Sequence, residues 1–327
     1  MIDKSKNKLE AYNPTLPTTV SLPNVKVLNV LDSLLKNGEE EQTLNVGGNA
    51  EVKCSVFYLD INLFDQLEQG TMTMCTPHRL PKINEGLFAD LPQDMSFTEY
   101  DRAVYSAIVS LSLAGNEVMT PSTIFRVLAG TRNVTVTEEQ LKQVRQSVAK
   151  MSLIRTFVDY TQEAKQRGIS TDNENVDSYK IDAWLISPSY IEVLIGGKEG
   201  RAYDIPLPPL YKYASTLKQV IAISSKLLTV GGSDTPERIA VRLYMLRRIL
   251  ANSGKMQDTM LYSTLYEKAG IPRASIPESR LRKFILKCLD EWLAMNVIAS
   301  YSINAHPSYS KVRYHSITFT RPEKEVT

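Results

Sequence analysis

Between Arg273 and Lys287 the chain carries Arg273, Arg280, Arg282, Lys283 and Lys287 against a single acid, Glu278. An arginine offers two parallel N–H donors that match the O6 and N7 edge of guanine, and a lysine presents a point charge suited to phosphate. Ser279 adds a hydroxyl able to bond either base edges or phosphate. A second group, Lys142, Gln143, Arg145, Gln146 and Lys150, is less basic but brings amides, which pair with adenine as arginine pairs with guanine. Each group is followed by further cations, Lys165 and Arg167 in one case and Lys311 and Arg313 in the other, placed to grip phosphates without reading sequence. The chemistry these residues suit is recognition of duplex DNA.

Such side chains act only if a helix presents them together. Leu141, Val144, Val148 and Met151 recur at i, i+3, i+7 and i+10, which predicts a helix with one buried face and turns Lys142, Gln143, Arg145, Gln146 and Lys150 outward. Leu281, Phe284, Ile285, Cys288 and Trp292 do the same for the second group, leaving Arg280, Arg282, Lys283 and Lys287 on the other face. Start signals precede both helices: Thr137 with Gln140, and Ser275 with Glu278.

The elements around these helices repeat. MTPSTIFRVLAG at 119–130 and MLYSTLYEKAG at 260–270 share Met, Ser-Thr, an aliphatic, an aromatic and Ala-Gly, about 140 residues apart. That period is too long for a solenoid unit, so each copy is expected to be a domain with its own core. Ahead of the first copy, Ser96 and Glu99 predict a capping box for a helix over Tyr100–Ala114, closed by Gly115. Thr120-Pro121 opens a short helix that ends at Gly130. The runs Ile154–Tyr160 and Tyr179–Ile186 then read as a hairpin. In the second copy Pro236–Ala251 is a helix with Ile239, Leu243, Leu246 and Leu250 inward, Thr259–Ala269 is the short helix, and Val297–Ile303 and Lys311–Phe319 are the hairpin. Three helices and a hairpin is the winged helix-turn-helix order, whose last helix enters the major groove. The expected fold class is α+β, with two tandem winged helix-turn-helix domains and a small N-terminal extension. Residues 1–22 read as a disordered tail, 23–95 as a helix-and-strand subdomain or dimerisation element, 96–230 as the first winged helix with connecting strands, and 231–327 as the second. Gly231-Gly232-Ser233 is the hinge candidate. The tyrosine-rich segment Tyr211-Lys212-Tyr213-Ala214 is expected to pack between the domains.

Other functions find less support. With 327 residues, 43% hydrophobic, and a net charge of +2, the chain can build two or three cores but has no bulk attraction for a polyanion, so any nucleic-acid surface must be local. The three cysteines, Cys54, Cys75 and Cys288, form no CxxC pair, and His78, His306 and His315 form no HxH or HExxH, so neither a metal site nor metal-dependent nicking is expected. Gly254-Lys255 and Gly196-Gly197-Lys198 fail the spacing of a phosphate-binding loop. No enzymatic activity and no cofactor are expected. No apolar run approaches the length of a membrane span, and a cytoplasmic protein without membrane contact is expected.

The duplicated caps, outward basic faces and hairpins across residues 96–320 resemble the theta-type plasmid replication initiator proteins, which are built from two pseudo-symmetric winged helices. The resemblance implies a protein that recognises repeated origin sequences, recruits host replication proteins and exists in part as a homodimer. It implies groove reading by Lys142, Gln143, Arg145 and Gln146 in the first copy and by Arg280, Arg282 and Lys283 in the second. Two alternatives stay open: a transcriptional repressor with tandem winged helices, and a structural or adaptor protein, since winged helices also bind proteins and a basic helix face is often only a solvated surface.

Overall fold

In the computed structural model, the described residues are 14–24, 28, 31, 42–47, 50–58, 91, 96–169, 179–195, 198–231, 234–251, 256–270, 278–307 and 314–322. They form a mixed α+β fold of helices and small antiparallel sheets.

At its centre is α1 (Glu99–Leu113), in which every residue from Tyr100 to Leu111 is buried. Its hydroxyls are satisfied locally, Ser106 donating to Arg102 O at 2.9 Å and Ser110 to Ser106 O at 2.7 Å. The capping box lies two residues later than Ser96 and Glu99. Thr98 accepts the Asp101 N–H at 3.2 Å and Asp101 accepts the Thr98 N–H at 2.7 Å, which frees Glu99 for a distant partner.

From α1 the first copy runs through β4 (Val118–Met119), α2 (Pro121–Ala129), α3 (Glu138–Ser152) and β5 (Ile154–Asp159) to β6 (Lys180–Trp184), with α4 (Thr161–Gln166) inside the hairpin connection. The second runs through α6 (Pro236–Leu250), β10 (Gln257–Leu261), α7 (Tyr262–Lys268), α8 (Glu278–Ala294), β11 (Ser300–Asn304) and β12 (Ser316–Thr320). The repeated peptides fold alike: Met119 and Met260 are buried strand residues, Ile124 and Leu265 are buried in the helix that follows, and Gly130 and Gly270 close those helices at φ of 69° and 64°. Caps expected at Thr120 and at Thr137 with Gln140 are present, whereas Ser275 lies outside the described residues.

The sheets of the two copies differ. In the second copy β12 lies between β10 and β11, so the short strand joins the hairpin. In the first copy β4 pairs instead with β8 (Lys198–Asp204), which pairs with β7 (Ser189–Ile195), and β5 and β6 extend through β3 (Ala50–Tyr58) to β2 (Gln42–Gly47). The strands of the segment expected as a separate N-terminal subdomain therefore belong to the first copy's sheet. The tail expected over residues 1–22 gives way at β1 (Thr19–Pro23), which pairs with β9 (Val220–Ser224) and buries Val20 and Leu22. The apolar alternation of Val20 and Leu22 outweighs the prolines that flank them.

The copies do not keep separate cores. One hydrophobic cluster runs from α1 and α2 through α6 to α8, because α6 lies directly on α1. Arg242 of α6 is 0% exposed and reaches into the first copy, donating to Leu128 O at 2.9 Å while it bonds Val230 O at 3.0 Å and pairs with Asp234 at 2.8 Å. Arg247 of α6 pairs with Glu99 of α1, and Arg102 donates to Pro23 O at 3.0 Å. The expected hinge begins at Gly231, where a Cβ would meet the Phe284 ring at 2.4 Å. That end is seated against α8; Gly232 and Ser233 lie outside the described residues. The segment expected to pack between the copies forms α5 (Pro209–Thr216), which instead lies against β6 and β1 beside the first copy, with Tyr213 on Tyr160 at 4.6 Å between ring centroids and Lys212 exposed.

Candidate nucleic-acid interface

The inward stripe of α8 is complete: Leu281, Phe284, Ile285, Cys288 and Trp292 are all buried. This burial rotates the basic residues out. Ser279, Arg280, Lys283 and Lys287 are exposed and Arg282 is half-buried. Ser279 and Arg280 lie in the first turn of the helix, where the macrodipole also favours an anion. Asp290 and Glu291 follow, and Lys287 lies 3.8 Å from Glu291.

The hairpin sheet packs beside this face. Tyr314, just ahead of β12, carries the Arg282 guanidinium over its ring at 4.5 Å and meets Tyr262 of α7 edge-on with centroids 6.0 Å apart. Tyr301 of β11 donates to Asp290; burial first, then that carboxylate, push its phenol up to about 12. The sheet and α8 are thus joined at two points, and the basic residues face out beside it. Arg273, Lys311 and Arg313 lie outside the described residues.

The corresponding helix of the first copy is placed differently. Lys142 is exposed, but Lys150, expected outward, is buried, with its ammonium 2.6 Å from both Asp101 Oδ2 and Ser96 O. Arg145 is only 14% exposed and pairs with Glu138 at 2.7 Å. Gln143 and Gln146 line a cleft of about 240 Å³ whose far wall is Pro236, Glu237, Lys268 and Gly270 of the second copy. Gln140, besides capping α3, donates to Asp234 O at 2.7 Å. Residues of the second copy thus wall one side of this part of α3, while Lys142 stays exposed. Lys165, at the end of α4, is exposed, and Arg167 pairs with the buried Glu163 at 3.1 Å. Glu163 is further held by the Tyr213 hydroxyl at 3.0 Å and the Gln219 amide at 2.6 Å.

The charged residues that join the copies had no signature in the sequence. Burial raises the Glu99 carboxyl, but Arg247 and Arg102 outweigh it and hold the group below its ordinary value. Arg102 is pushed down to about 9 by burial and by the neighbouring Arg247. Asp234 is raised by burial despite Arg242. No group of His, Cys, Asp and Glu able to hold a metal occurs among the described residues, and no helix among them is long and apolar enough to cross a membrane.

No known protein family matches the sequence, and no curated protein matches it. Among solved structures the chain is similar to the crystal structure of RctB domains 2-3, with a TM-score of 0.41 and 11% identity over 90% of this chain and 96% of that one. It is likewise similar to a selenomethionine derivative of domains 2 and 3 of RctB, with a TM-score of 0.40 and 10% identity over 93% and 100% of the two chains. A likeness this loose assigns no function, which has to come from the residues of this chain.

Proposed function

We propose that this chain is a sequence-specific double-stranded DNA-binding protein, built as two tandem winged helix-turn-helix units, that acts without enzymatic activity as a replication initiator at the repeats of a plasmid or mobile-element origin. The observation that carries the reading is the exposed basic face of α8, set beside a hairpin sheet, with Glu278 at the helix start as the one acid before Asp290. A helix so placed fits a major groove about 12 Å wide, and the hairpin beside it reaches the flanking backbone. The element order of both copies and the β10-β12-β11 pairing support the winged-helix assignment.

The partly walled face of α3 changes the division of labour. The second copy is the groove reader in this arrangement, and the first braces it through Gln140, Glu99 and Leu128. Host replication proteins and a second copy of the chain are the further partners proposed for this function, in the cytoplasm.

Footprinting on DNA flanking the gene tests the proposal. Protection of several evenly spaced direct repeats is the expected result. Protection of one palindrome indicates a repressor using the same surface, and no binding at low salt leaves a protein-binding role.

A further inference from the structure

Around α8, at about 100° per residue, Arg280, Lys283 and Lys287 fall within an arc of roughly 60°, while Arg282 stands about 100° away from Lys283 on the hairpin side. The first three are exposed. Arg282 is half-buried, and its guanidinium lies 4.5 Å over the Tyr314 ring. Tyr314 is itself 39% exposed, and its ring is fixed edge-on against the buried Tyr262 of α7. Three elements therefore set the plane of this guanidinium: α7, α8 and the hairpin. Among the described residues no acid pairs with Arg282, in contrast to Arg145, Arg155 and Arg248, each of which is spent on a carboxylate.

We propose that Arg282, held flat on Tyr314, is the base-reading residue of α8 and takes the O6 and N7 edge of a guanine in the major groove, whereas Arg280, Lys283 and Lys287 hold phosphates. The proposal rests on the duplex-binding reading above and adds to it which residue discriminates and what it reads. The guanidinium is planar by resonance, and stacking fixes the direction in which that plane of N–H donors points, the geometry a guanine edge demands. Exposed side chains on flexible stems supply charge without that geometry, which suits phosphate. Stacking on Tyr314 also removes rotamers that the arginine would otherwise lose on binding, so the discrimination is built before DNA arrives.

The test begins with selection of duplexes from a random-sequence library by the full chain. The affinities of wild type, Arg282→Lys, Arg282→Ala and Tyr314→Leu are then measured for the selected duplex, for its single-base variants and for random duplex. Wild type is expected to prefer one G·C pair on the order of 10- to 100-fold. Arg282→Lys keeps the charge but loses that preference, with affinity for random duplex little changed, and Tyr314→Leu lowers the preference part of the way. Circular dichroism of each variant matching wild type excludes unfolding as the cause. Retention of the G·C preference by Arg282→Lys, or an equal loss on every duplex for Arg282→Ala, overturns the proposal and makes Arg282 a phosphate contact. Duplex binding by wild type with no sequence enriched overturns it while leaving DNA binding intact; no duplex binding at low salt removes the parent reading itself.

Discussion

Replacing Glu99 by Gln removes the one carboxylate paired with Arg247 among the described residues, and the structure fixes the consequence. Glu99 and Arg247 are 6% and 5% exposed, and Arg102, at 4%, lies 4.0 Å from the same carboxylate. The variant keeps the shape of the side chain but removes the carboxylate charge that faces two buried guanidinium groups. Loss of one partner from a buried pair costs about 3–5 kcal/mol, and that loss is expected for Glu99→Gln at pH 7. The pH dependence has a definite sign. The folded carboxyl is held below its ordinary value of 4.5, so its contribution is complete above that value and is lost as pH falls through the lowered folded value. Urea unfolding of both proteins from pH 7 down to pH 3 should therefore show a gap that is constant to about pH 5 and then narrows. A double-mutant cycle with Arg247→Met should show coupling of about 1 kcal/mol or more, since each change removes the same contact. A deficit under about 1 kcal/mol at pH 7, or a gap that ignores pH, refutes the assignment of this pair as the tie between the copies.

Three further outcomes follow from the same geometry. Gln143→Ala combined with Gln146→Ala should leave DNA affinity nearly unchanged, because both side chains line a cleft against the second copy; a loss as large as that of Arg282→Ala in a binding titration would mean that α3 does enter a groove. Gly231→Ala should destabilise by about 1–3 kcal/mol or more in chemical denaturation, since the new methyl meets the Phe284 ring and φ is 95°; an unchanged midpoint would mean this end of the linkage is loose. Cys288, buried and with its thiol pushed up to about 12 chiefly by burial, should resist iodoacetamide at pH 8 in the folded chain and react on denaturation, as read by mass spectrometry.

What the sequence made legible was local. Apolar spacing placed the inward faces of α3 and α8, and the shared peptide marked two strand-helix pairs whose Met119 and Met260, Ala129 and Ala269, occupy like positions. What it hid depends on partners far along the chain. Arg247 meets Glu99 across 148 positions and Arg242 meets Leu128 across 114, and no local period reports such pairings. Lys150 follows the outward spacing of α3 but lies against Asp101 of the buried α1, so charge alone misplaced it. Glu99 fitted a capping box as well as Asp101 did, and only the position of α6 decides between the two roles. β4, two residues long, carries no alternation that could have shown its pairing with β8 rather than with its own hairpin.

Salt dependence of DNA binding tests the central claim most directly. Fluorescence anisotropy of a labelled duplex, titrated between 50 and 200 mM salt, gives the slope of log affinity on log salt for wild type and for the triple variant Arg280→Ala, Lys283→Ala, Lys287→Ala. Each phosphate contact removed should flatten the slope by about 0.9, so the triple variant should be shallower by nearly 3 as well as weaker. Equal slopes and affinities for the two proteins would show that the exposed face of α8 does not hold DNA.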